Sequence, residues 1–133
     1  MRWPALLVLA LLAAGCGTPG ADLFEVKRSG ADTNANLILL VSEDGFITCN
    51  GKKREVPGET LLQARELRRD LAEQAELNLT LPPGPNSVLS YQVRMEAGTI
   101  AFADTSRPLP PSFARLTVFT KHVAEDLCGI QRD

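Results

Sequence analysis

The chain has few of the residues from which catalytic centres are usually built. Its single histidine, His122, has only Asp126 one helical turn further on as an orienting partner, and that pair lacks an accompanying nucleophile. No serine stands in a nucleophile-elbow sequence, and there is neither a phosphate-binding glycine loop nor a zinc-protease helix motif. Beyond the first residues no run approaches the ~20 apolar residues that a membrane span needs. Charge of one sign is also missing: 14 basic residues face 16 acidic ones, for a net charge of −2. With no basic stripe, a nucleic-acid partner is not expected. The one basic cluster, Lys52, Lys53 and Arg54, follows Asn50 and Gly51 and reads as a solvated hairpin. Internal repeats and low-complexity tracts are absent too. Neither a cofactor nor a bound metal is expected.

What is present begins at the N-terminus. Arg2 supplies a positive start, Pro4 to Leu12 is almost wholly aliphatic, and Ala13, Ala14 and Gly15 are small, which is the layout of an export signal over residues 1–15. The following "LAAGC" resembles the lipobox of bacterial lipoproteins, with Ala13 where leucine is more usual. That resemblance implies a diacylglyceryl thioether on Cys16, with fatty-acyl chains such as palmitate, cleavage before it, and attachment to a membrane on the extracytoplasmic side. Gly17 is not the aspartate associated with inner-membrane retention, so cell membrane and outer membrane both stay open. Residues 16–22 form a short lipidated tether at about 3.5 Å per extended residue, which keeps residues 23–131, read as a single domain, close to the bilayer.

With Cys16 assigned to lipid, Cys49 and Cys128 remain as a pair in an exported chain, which suggests a disulfide. Closing a loop of 79 residues stabilises by roughly 4 kcal/mol in the chain-entropy model. Metal ligation is the alternative, although Cys49, Cys128 and His122 offer three soft ligands without local zinc spacing.

Hydrophobic period orders the rest as strands, helix, strands, helix. Leu23 to Arg28 and Asn36 to Val41 are β-type runs. The Asp-Gly of "SEDG" (42–45) leads the second of these into "FITC" as a hairpin, and Asn50-Gly51 opens another into "KREV". From Leu61 the apolar residues Leu61, Ala64, Leu67, Leu71 and Ala75 fall three or four apart and predict a helix. Thr60 and Gln63 form a capping box, and Arg69 pairs with Glu73 on the outer face. After "LPPGPN", Leu89, Tyr91, Val93 and Met95 alternate on one strand face and pair through "EAG" with Thr99 to Asp104. Ser112 caps a last helix through Phe113, Leu116, Phe119, Val123 and Leu127, ended by Gly129. The expected fold class is α+β: a single small domain of antiparallel β-hairpins with two amphipathic helices.

Carboxylates working as an acid and base pair have only Asp44 and Asp104 as loop candidates, each explained by turn chemistry. Tyr91 and the phenylalanines have core spacing. Without an active-site constellation the chain reads as a binding domain with no catalysis of its own. The alternatives are a small envelope hydrolase using unrecognised carboxylates or a structural envelope lipoprotein. The order "FEVKRSG", "LLQARELRRDL", "LPPG", "YQVRMEAGTIAFAD" and a final helix after "RPLPP" resembles the emfourin type of small proteinaceous inhibitor. In "KRSGADTN" the second glycine of the family pattern is replaced by Ala31. The resemblance implies a metalloprotease of the thermolysin type as partner, met by Lys27, Arg28, Ser29, Gly30 and Asp32.

Overall fold

Alternation of apolar and polar side chains builds the sheet. In a computed structural model, which describes residues 22–132, Leu89, Tyr91, Val93 and Met95 line the buried face of one strand while Ser90, Gln92 and Arg94 face solvent. The export signal, Cys16 and most of the tether lie outside the described residues. The sheet has six strands: β1 (Asp22–Gly30), β2 (Leu37–Ser42), β3 (Phe46–Cys49), β4 (Lys52–Glu55), β5 (Leu89–Met95) and β6 (Gly98–Ala103), of which β4 has no apolar residue and no buried one. They form one antiparallel sheet in the order β4-β3-β2-β1-β5-β6. The three expected hairpins, β2 with β3, β3 with β4 and β5 with β6, are all present. Asn50 (φ 48°) and Gly51 (φ 87°) both adopt left-handed backbone, the conformation that a two-residue type I′ turn demands.

The central position of β1 joins the hairpins into one sheet, pairing Val26 with Leu39 of β2 and with Val93 of β5. The free edge of β6 is partly covered by a short parallel pairing, in which Leu81 N donates to Ala101 O at 2.8 Å and Ala101 N donates to Leu79 O at 3.0 Å. The other edge, β4, is exposed along its length and carries Lys52, Lys53, Arg54 and Glu55, charges that discourage edge-to-edge association.

Two helices, α1 (Gly58–Glu76) and α2 (Pro111–Asp126), cover one face of the sheet. They bury Ala64, Leu67, Leu71 and Ala75 from α1 and Phe113, Leu116, Phe119 and Val123 from α2. Leu61 is half-buried at the margin. Aromatic contacts run through this layer: Phe24 meets Phe119 edge-on at 5.9 Å, and Phe102 lies between Tyr91 at 5.1 Å and Phe113 at 4.9 Å. The result is the expected α+β domain with one sheet face in the core and one solvated.

The helix starts differ from expectation. Helix α1 begins at Gly58 after Pro57, two residues before Thr60, so the Thr60 and Gln63 capping box does not form. Ser112 is buried inside the first turn of α2 and caps nothing. In both cases a proline precedes the helix and restricts the entering backbone without a side-chain cap. Arg69 pairs with Asp70 at 3.1 Å instead of Glu73, and Asp70 also accepts from Arg115 of α2 at 2.8 Å, a bridge between helices. The Cys49 to Cys128 disulfide is present with Cα atoms 5.7 Å apart. It ties the chain just after α2 to β3.

Candidate functional site

The β1 to β2 connection lies at the end of the sheet opposite Asp22. Ala31, Asp32, Thr33 and Asn34 are exposed there, whereas Ala35 is fully buried. Asp32 begins a short 3-10 turn, Thr33–Ala35, by accepting from Asn34 N at 3.1 Å, and Ala35 N closes it onto Asp32 O at 3.0 Å. Asn36 Oδ1 accepts from Gly30 N across the mouth of the loop at 3.4 Å. Beneath the loop, Arg28 donates from Nε to Ala35 O at 2.9 Å and from Nη2 to Asn34 O at 3.1 Å. From the C-terminal side, Asn34 Nδ2 donates to Gln131 O at 2.7 Å, and Arg132 Nε stands 3.6 Å from Asp32 Oδ2. Gly30 is required by close approach, since a Cβ there would lie 2.6 Å from Val88 O. The exposed tip is therefore held from three directions.

The five residues expected at a partner surface do not share one face. Lys27 and Ser29 sit on the solvated side of the sheet, with Lys27 Nζ 3.9 Å from Glu25. Arg28 points the other way and is 4 % exposed. It supports the loop from inside, while Gly30 ends β1 at the mouth of the loop and Asp32 belongs to the loop itself. Asn34 lies within the "KRSGADTN" run without having been singled out, and sequence reasoning missed Gln131 and Arg132, which complete the brace.

Behind the loop is a cleft of about 360 Å³. Arg28 and Tyr91 are register partners on β1 and β5 and form its floor. Lys121 and Glu125 of α2 and Arg132 of the C-terminal segment supply its charged rim, and Leu89, Val118 and Ile130 its apolar wall. Desolvation by burial draws the Arg28 guanidinium below the ordinary arginine range, opposed by the nearby Tyr91, Glu125 and Asp32. Burial also raises the Tyr91 phenol above its usual value, opposed by Arg28 and Arg132.

The candidates for acid-base work are dispersed. His122 and Asp126 are both exposed on α2. Asp44 is in the turn after β2, near Asp22, and Asp104 follows β6 at the other end of the sheet. The Asp104 carboxylate accepts from Ser87 Oγ, Val88 N and Leu89 N at 3.0 to 3.2 Å, so it organises the start of β5. Among the described residues no three His, Cys, Asp or Glu side chains gather where they could hold a metal ion. The basic residues of β4 remain solvated, with Lys53 Nζ 4.0 Å from the Phe46 ring centre. Among the described residues no helix is long and apolar enough to cross a membrane.

Comparison with known protein families, with curated proteins and with solved structures finds no match to this chain.

Proposed function

We propose that this protein is a lipid-anchored domain of the bacterial envelope that binds another protein and has no catalysis of its own. Its partner on this reading is a thermolysin-like metalloprotease, inhibited in the manner of the emfourins. The observation that carries the binding role is the braced loop at 31–34, exposed at its tip and fixed by Arg28, Gln131 and Arg132 beneath. A loop held in place before contact loses little conformational entropy on binding. The inhibitor identity rests on the "FEVKRSG" to "RPLPP" resemblance, and anchoring rests on "LAAGC".

The position of β1 supports the same reading. Asp22 begins this strand six residues after Cys16, and the loop leaves its other end, about 30 Å away at ~3.3 Å per residue. A lipid on Cys16 would thus set the loop on the side away from the bilayer. The Cys49 to Cys128 bridge suits an oxidising compartment.

Site-directed photo-crosslinking in intact cells tests this function. A photoreactive residue at Thr33 should trap a discrete protein adduct in the membrane fraction, and one at Lys53 on the exposed edge strand β4 should not. Cys16→Ser should move the protein into the soluble fraction. Equal trapping from both positions would sink the loop assignment, and a Cys16→Ser protein that stays on the membrane would sink the anchor.

A further inference from the structure

The cleft behind the loop has a composition that bracing alone does not require. Two carbonyl acceptors satisfy part of the Arg28 guanidinium, yet among the described residues Arg28 forms no ion pair, and its Nη1 donates to no protein atom. Carbonyls answer its hydrogen bonds but leave its charge without a counter-charge in contact. A nearly buried cation in that condition has its desolvation penalty only partly offset, here by the fields of Tyr91, Glu125 and Asp32. Arg132 and Lys121 add two further cations at the same opening. Of the two nearby acids, Asp32 is engaged by Arg132 and by Asn34 N, which leaves Glu125 as the other anion on the rim.

The rest of the lining is mostly apolar: Leu89, Val118, Ala124 and Ile130 accompany the Tyr91 ring, and Thr117 adds one hydroxyl, which donates to Ala114 O within α2. A guanidinium fork recognises a planar carboxylate through paired N–H donors. An apolar wall next to it selects a ligand with a hydrocarbon portion directly behind the carboxylate. The volume, about 360 Å³, lies at the small end of ligand pockets, which run from ~300 to 1,000 Å³.

We infer that this cleft is a binding site for an apolar carboxylate, with Arg28 and Lys121 meeting the carboxylate and Leu89, Val118 and Ile130 taking the hydrocarbon part. Two sources offer this chemistry, the C-terminus of a peptide ending in aliphatic residues and a short fatty acid. The site is independent of the proposed protease partner, because its ligand enters behind the loop and not at its tip.

Tyr91 is the only tyrosine of the chain and lines the cleft, so its fluorescence and its aromatic NMR signals report occupancy. The purified protein is titrated with an acetylated dipeptide ending in leucine and with hexanoate, each beside its primary amide. At least one acid should bind with saturable change at Tyr91, and its amide should bind on the order of tenfold more weakly, as loss of a charge-assisted contact implies. The tighter of the two acids identifies the source. Lys121→Glu, a change at an exposed position, should weaken the acid several-fold with an unchanged melting temperature. The inference is overturned if neither acid perturbs Tyr91, if acid and amide bind equally, or if Lys121→Glu leaves acid binding intact.

Discussion

Replacing Arg28 by alanine separates a supporting role from a contact role. The substitution removes both hydrogen bonds to the loop carbonyls. Ala35 O is in a fully buried residue, and a buried acceptor left without a donor costs about 1–3 kcal/mol. Asn34 belongs to the exposed tip, so water can replace the second bond at little cost. Loss of packing by the Arg28 stem adds to the penalty, and relief from burying a charge subtracts from it. The net expectation is a loss of about 2–3 kcal/mol. With an unfolding entropy of ~2.1 cal/mol/K per residue over about 110 residues, that lowers Tm by roughly 9–13 °C. Differential scanning calorimetry measures the shift, and amide exchange at Thr33 to Asn36 should accelerate more than exchange in β5. Asp32→Ala, at the exposed rim, should lower Tm by only a few degrees. An Arg28→Ala protein melting within about 2 °C of the parent, with unchanged loop exchange, would refute the bracing argument.

Removing the bridge by Cys49→Ser with Cys128→Ser should cost about 4 kcal/mol for a closed loop of this length, read as a lower denaturation midpoint. Intact-mass analysis with thiol labelling should find no reactive thiol at Cys49 or Cys128 in the folded, oxidised parent. Gly98 has φ 151°, and a Cβ there would collide with Ala75 O at the end of α1. Gly98→Ala should therefore destabilise by about 2–4 kcal/mol in chemical denaturation. The raised Tyr91 pKa means that the folded protein holds the phenolic proton more tightly than the unfolded chain. That contribution is complete below about pH 10, the unfolded value, and is lost as pH rises through the folded pKa. Phenolate absorbance should accordingly titrate above the free tyrosine range in folded protein and return to it in denaturant.

Much of the fold was legible because its signals are local. The "FITC" strand, the Asn50-Gly51 turn and the alternation from Leu89 to Met95 each sit within a few residues, and the structure reproduces them. The place of β1 was not legible, because its pairing with β5 crosses the whole of α1 and depends on which apolar faces meet in three dimensions. The orientation of Arg28 carried a signal that charge obscured. Phe24 and Val26 define the inward face of β1, and period two places Arg28 on it as well. Gln131 and Arg132 gave no comparable sign, since they reach the loop only after the chain turns at Gly129 beyond the Cys128 bridge. The helix starts were misplaced because Thr60 and Ser112 are favourable caps in isolation, while Pro57 and Pro110 had already set the entry of the chain.

The binding claim is tested most directly by titrating a thermolysin-like protease from the same organism with this protein and with its Asp32→Ala variant. Stoichiometric inhibition by the parent is expected, with a clear rise in the inhibition constant for Asp32→Ala at a Tm lowered by only a few degrees. A protease that stays fully active at high excess, or that digests the protein as a substrate, would contradict it.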